Sequence, residues 1–495
     1  MTEFQVFPDE TKGPVNPDGD RVSLQYALNH AEPGDTITLN KGLYVTPVVM
    51  RRSGTAEAPI IIRGKSGNRT LFDGRTHVDD LPRQKPDFSQ HGLITLLGAS
   101  HIKIQKIAFD NCYPVAIRLI DATHIAIESC IFTRFSYAIS AGTDPQPDST
   151  RFITVHDCRA IQDPEGDLWT GRVSWQSVKQ QHMRQADQRH RNGAFFHARN
   201  TFGDILINKT NVAQAFNGIQ FYNRHSIPDR NKNIFITGCR FAYLRDNAVE
   251  PEWRVDNLWV VNNEFFNCHN PFSMDWVIGG HRYYLGNRIL NRVRPGAHHQ
   301  GNRGGTIYKF VTDKNVRLPD GAFYSAYNAV LTRTEYAKQG TTRRWAHANN
   351  AISIVQDGPH TDPHKRMFGQ DFVDGGDLVF FDDLTDHPDA AKQSKFLGRL
   401  KTVDAPLFEP PVLRPDFLGT TDAWDGALVL SGQHTRHRTA PMEIALISGG
   451  TLAVAGGYAY AAGAPQTVVD EMQKQSAPLW PDGVGPAAGT ALNIV

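Results

Sequence analysis

His101-Ile-Lys-Ile-Gln-Lys-Ile-Ala-Phe109 and, 23 residues further on, His124-Ile-Ala-Ile-Glu-Ser-Cys-Ile-Phe132 are two copies of one nine-residue phrase. It carries an apolar side chain at positions two, four and nine and often a small or amide side chain at seven. The phrase returns as Phe152-Ile-Thr-Val-His-Asp-Cys-Arg-Ala160, Asp204-Ile-Leu-Ile-Asn-Lys-Thr-Asn-Val212 and Asn233-Ile-Phe-Ile-Thr-Gly-Cys-Arg-Phe241. Weaker copies begin at Asn257, His281 and Ala322, so that successive starts lie 23, 28, 52, 29, 24, 24 and 41 residues apart. Alternation of period two inside each copy specifies strand rather than helix. Strands recurring every 23 to 29 residues between Gly, Asn and Asp turns predict an all-β chain, a right-handed parallel β-helix of about ten rungs around one continuous core. Ile102, Ile125, Ile205, Ile234 and Leu258 should then stack in one interior column.

The cysteines follow from the same reading. Cys130, Cys158 and Cys239 stand at position seven, where Asn263, Asn287 and Asn328 stand in later copies. This predicts an inward row of small thiols giving way to amides that bond one another along the axis. Five cysteines without a C-x-x-C pair argue against a disulfide framework or a zinc site. With 52 Lys+Arg against 51 Asp+Glu there is no global field to hold a nucleic acid, and no apolar run is long enough to predict a membrane-spanning helix. The first residues lack a basic and apolar leader, so any export signal is missing or already removed.

The chain divides into a solenoid over residues 1–335, with an inserted lobe at 163–191, and a region 336–495 of final rungs plus a C-terminal cap or small appended β region. Polar residues from Val173 to His190 favour a helix in the lobe.

Each rung carries a second strand about fifteen residues after its phrase begins. Placing Ile219, Phe221, Val249, Pro251, Trp253, Phe272, Met274 and Trp276 inward turns Gln220, Tyr222, Glu250, Glu252, Ser273 and Asp275 outward. Phe195 and His197 are expected outward one rung earlier. Matching Phe310 to Trp253 and Trp276 puts Lys309 outward one rung later. One outward column then reads His197, Tyr222, Glu252, Asp275, Lys309. Glu250, Glu252 and Asp275 place three carboxylates within reach of one another, which is unfavourable unless a cation, a shared proton or a substrate compensates.

Leu24-Gln-Tyr-Ala-Leu-Asn-His-Ala-Glu-Pro-Gly-Asp-Thr-Ile-Thr-Leu-Asn-Lys-Gly-Leu-Tyr44 and Arg52-Ser-Gly-Thr-Ala-Glu-Ala-Pro-Ile-Ile-Ile-Arg63 resemble the N-terminal cap and first rung of β-helix polysaccharide lyases, most closely the chondroitinase B and alginate lyase family. The resemblance covers roughly residues 20–75. It implies β-elimination on a uronate-containing glycan and a Ca²⁺ held by an amide on one rung and a Glu-x-Glu on the next. Gln220 and Glu250-Pro-Glu252 match that pattern. The family's lysine within the Glu-x-Glu rung is replaced by Arg254, its arginine on the next rung has Asp275 as nearest equivalent, and Lys309 is the nearest lysine. His197 with Tyr222 is a second acid/base pairing. Trp253, Trp276, Arg282 and Arg294 are expected to hold the glycan, and such a substrate suggests a periplasmic or extracellular setting.

Two other readings fit the same residues. In a glycoside hydrolase, Glu252 and Asp275 would be the catalytic acid and its nucleophile or base. A non-catalytic glycan-binding spike or adhesin would use the exposed aromatic residues without chemistry.

Overall fold

A computed structural model describes residues 1–8, 21–65, 69–75, 92–143, 148–179, 188–223, 227–275, 278–280, 282–291, 305–310 and 323–342, with shorter stretches onward to 492. The repeated phrase forms one strand of a fourteen-stranded parallel sheet. Ser100–Gln105, Thr123–Glu128, Arg151–His156, Gly203–Asn208, Lys232–Thr237 and Asp256–Val261 lie side by side in sequence order. Ile102, Ile125, Ile153, Ile205, Ile234 and Leu258 pair in unbroken register, as the phrase predicts. Two further parallel ladders complete each rung, joined where the long strands Ala108–Ile120 and Ile131–Gly142 bend from one to the other. The fold is a parallel β-helix, with a single apolar core running from Val6 to Phe368.

The phrase is as long as it is because a bend closes each end of its strand. Position one is left-handed in His101, His124, Phe152, Asp204, Asn233 and Asn257, with φ between 53° and 56°. Position six is left-handed as well, from Lys106 and Ser129 to Gly238, Gly286 and Tyr327. A single left-handed residue turns the chain sharply, and Asn, Asp and Gly reach it at least cost. The residue after the second bend is turned into the interior corner, where Cys130, Cys158 and Asn263 are wholly buried.

At that corner the amides form a one-way chain. Asn263 donates from its backbone N and Nδ2 to Asn287 Oδ1, both at 3.1 Å. Asn287 does the same to Asn328 at 2.9 and 3.0 Å, and Asn328 to Asn350 at 3.0 and 2.8 Å. Asn350 donates to Asp383 at 3.0 and 2.6 Å. The rungs therefore continue beyond residue 335, where the phrase no longer shows in sequence: Trp345–Ala348 and Val379–Phe381 extend the first sheet.

Within the inserted lobe the helix expected between 173 and 190 is present at Trp175–Lys179, preceded by a short helix at Asp167–Thr170 and followed by a 3-10 turn at Arg189–Arg191, while residues 180–187 lie outside the described residues. Leu168 and Val178 bury against Phe216 with Val173 and Trp175 around them, which seats the lobe on the solenoid. Asp163 anchors its base by pairing with Arg191 and accepting from the Leu168 amide.

Candidate active site

The third ladder carries the candidate site, and an amide row fixes its register. Asn217, Asn247 and Asn270 open the strands Asn217–Asn223, Asn247–Trp253 and Asn270–Met274. Asn247 N donates to Asn217 Oδ1 at 3.0 Å, Asn270 Nδ2 to Asn247 Oδ1 at 3.2 Å, and Thr306 N to Asn270 Oδ1 at 3.1 Å. Since a slip by one residue would exchange the two faces, these bonds settle which side chains reach solvent.

Two outward columns result. His197 lies beside Gln220 and Gln220 beside Glu250, while Ser273 lies beside Lys309. Arg199 lies beside Tyr222 and Tyr222 beside Glu252, with Asp275 following Met274 at the next strand's end. His197 and Lys309 thus belong to the column of Gln220 and Glu250, not to that of Tyr222 and Glu252. For Lys309 the reason is that Phe272 and Met274 pair across to Tyr308 and Phe310, and for His197 that it pairs with Gln220. Phe195, expected outward, is fully buried with its ring edge-on to Phe132.

The columns are knit together by charge. Lys309 Nζ lies 2.7 Å from Asp275 Oδ2, and its long side chain crosses from one column to the other. Burial disfavours this ammonium, yet Asp275, then Asp246 and Glu250, hold its pKa above the ordinary lysine value. Asp275 is itself raised, by burial first, with Lys309 opposing. Glu252 is raised well above the usual carboxylate range by burial and then by Glu250, with which it shares a hydrogen bond. Glu250 is 1% exposed, and its Oε2 is buried without a hydrogen-bond partner.

Two groups here were not legible in the sequence. Asp246, at the corner before the Glu-x-Glu strand, is buried, and Lys179 Nζ from the lobe lies 3.0 Å from its Oδ2. Burial would raise Asp246, but Lys179, then Lys309, outweigh it and hold the carboxyl at about 2. Lys179 is in turn raised by Asp246, Glu250 and Glu252 against the cost of burial. A lone lysine in a polar insertion carries no signal of its own; only the apolar pattern of Val173, Trp175 and Val178 hints that the segment docks.

The other expected residues are placed differently. Trp253 is left-handed, with φ of 63°, and this breaks the alternation before Arg254. Arg254 consequently turns to Asp256 at 3.0 Å, on the bend leading to the next rung. Arg282 does not face a substrate. It continues the interior column after Leu258 and donates to the carbonyls of Trp253, Val255 and Ile278. His197 is buried with its ring 4.8 Å from that of Tyr137, whereas Tyr222 is half-buried beneath the Arg199 guanidinium, 5.1 Å from the ring centre. Trp276 and Arg294 lie outside the described residues.

No protein-family model matches the sequence, and no curated protein does. Similar solved structures include a mannuronic-acid-specific polysaccharide family 6 lyase from human gut microbiota, at 12% identity over 82% of this chain and 92% of that one, TM-score 0.43. Pectate lyase Pel9A is similar at 11% identity over 78% and 76%, TM-score 0.36. A GH136 lacto-N-biosidase from Eubacterium ramulus is similar at 11% identity over 77% and 68%, TM-score 0.38. The assignment as a parallel β-helix rests on the strand pairing itself.

Proposed function

We propose that the protein degrades polysaccharide and that its reaction is β-elimination on a uronate-containing glycan. The observation that carries this reading is the meeting of Gln220, Glu250, Glu252, Asp275 and Lys309 on two adjacent outward columns, with Tyr222 beside Glu252. Lys309, a fixed ammonium, faces the substrate carboxylate or the departing glycosidic oxygen, where it offsets developing negative charge and can supply a proton. Tyr222, acting as its phenolate, is the accessible group for taking the C5 proton; buried His197 stands beside Gln220 on the preceding strand. The C5–H and C4–O bonds break, a C4–C5 double bond forms, and the proton returns to the leaving sugar.

The calcium implied by the sequence resemblance suits the oxygen donors present. Gln220, Glu250 and Glu252 would hold it, with Glu250 Oε2 an orphaned buried acceptor. Among the described residues no three His, Cys, Asp or Glu side chains form a metal cage by themselves, so water or substrate oxygens would complete the shell. Bound there, such an ion would neutralise the uronate carboxylate and acidify its C5 proton.

One observation favours hydrolysis instead: Glu252, raised well above the usual range, is suited to act as a general acid, with Asp275 one rung on. The deciding experiment incubates the protein with acidic and neutral glycans and follows both new reducing ends and the ultraviolet absorbance of an unsaturated uronate. Both signals together support elimination. Reducing ends alone would replace it by hydrolysis, and binding without either would indicate an adhesin.

A further inference from the structure

Lys179 belongs to no rung. It lies on the helix Trp175–Lys179, held in place by Val178 against Phe216 and by its own ammonium 5.5 Å from the Phe216 ring. The lobe thus delivers one cation to the proposed glycan groove, whose floor carries four carboxylates, Asp246, Glu250, Glu252 and Asp275. Such a floor repels an acidic polymer unless cations reverse the field where its carboxylate lands.

Two ammoniums do this. Asp246, just before the Glu-x-Glu strand, is paired with Lys179, and both ammoniums lower its carboxyl. Each lysine makes one short ion pair, Lys179 with Asp246 at 3.0 Å and Lys309 with Asp275 at 2.7 Å. The two side chains keep 26% and 28% of their surface exposed. An ammonium has three N–H donors, so each retains donors for a ligand in the groove.

We propose that Lys179 and Lys309 together bind the substrate's carboxylate, with Asp246 as the positioning residue paired with Lys179, and that the inserted lobe thereby makes the site selective for acidic over neutral glycans. This rests on the reading of the groove as a glycan site. It gives the insertion a role in specificity: a rung-borne lysine is complemented by one brought from a separate segment of chain.

The test is calorimetric binding of hexasaccharides from polygalacturonate and from alginate, each beside its carboxyl-reduced counterpart. The proteins are the wild type, Lys179→Met, Lys179→Arg and the double variant Lys179→Met/Asp246→Asn, which removes the buried charge left unpaired by the single change. The wild type is expected to prefer an acidic form over its reduced form, and Lys179→Met to lower that preference about tenfold or more. The double variant should lose the preference equally while recovering thermal stability, and Lys179→Arg should retain most of it. Unchanged preference in Lys179→Met, or equal loss of affinity for acidic and reduced forms, would overturn the assignment of Lys179 alone. A wild type that binds none of the four probes would overturn the glycan reading beneath it.

Discussion

Replacing Asp275 by Asn and Lys309 by Met, singly and together, tests whether the two columns act as one site. At 2.7 Å and an effective dielectric near 20, the attraction between the two charges is roughly 6 kcal/mol before solvation and side-chain entropy are deducted. With both side chains about a quarter exposed or less, the net coupling should be about 1–3 kcal/mol. Asp275→Asn leaves the ammonium to Asp246 and Glu250, which draw it away from the groove. Lys309→Met leaves a carboxyl that burial pushes towards its neutral form. Either change should cost roughly 2.7 kcal/mol of transition-state stabilisation, about a hundredfold in kcat/KM. The double variant should be little worse than either single one. The assay is initial rate on the cleaved glycan, with urea unfolding run in parallel to separate lost activity from lost structure. Near-normal turnover in Asp275→Asn, or single effects that multiply to about ten-thousandfold in the double variant, would refute the placement of the site.

Chelation should abolish turnover and calcium restore it if Gln220, Glu250 and Glu252 hold the ion; Glu250→Gln should then weaken calcium binding measured directly by calorimetry. Burial lowers His347 well below its ordinary value, so the unfolded chain takes up that proton first as pH falls below about 6.5, and stability is lost there by up to ~1.4 kcal/mol per pH unit. A His347→Phe variant should show a correspondingly shallower fall in unfolding free energy than the wild type, and parallel curves would contradict this. Asn287→Ala strands the Asn263 N–H and the Val260 carbonyl and should cost about 4 kcal/mol, whereas Cys158→Ala at the same position in its rung should cost about 1–2 kcal/mol by denaturant titration.

The fold was legible because position two of the phrase repeats Ile five times before Leu258, and that regularity reaches the structure as one unbroken interior column. Arg282 could be read from the same position: it follows Leu258 in the second place of its phrase and is consequently interior. The outward register of the candidate site was legible over Gln220, Glu250 and Glu252, where successive strands are regular. It failed at Lys309, because the segment before residue 305 lengthens that rung and hides its register. It failed at Arg254 because alternation holds only while backbone stays extended, and Trp253 does not. Lys179 reaches the site by tertiary docking, to which strand periodicity is blind.

The amide chain along the interior corner also has a direction in time. Every donor from Asn263 to Asn350 waits for an acceptor supplied by the rung that follows it in sequence. Over this stretch a nascent chain ends in a rung whose corner amide awaits the next, which favours growth of the stack from its earlier rungs towards its later ones. Asp383 closes this amide chain, its carboxyl Oδ1 accepting both bonds from Asn350. The stack itself goes on past that corner, where Leu384–Thr385 pairs with Lys401–Thr402.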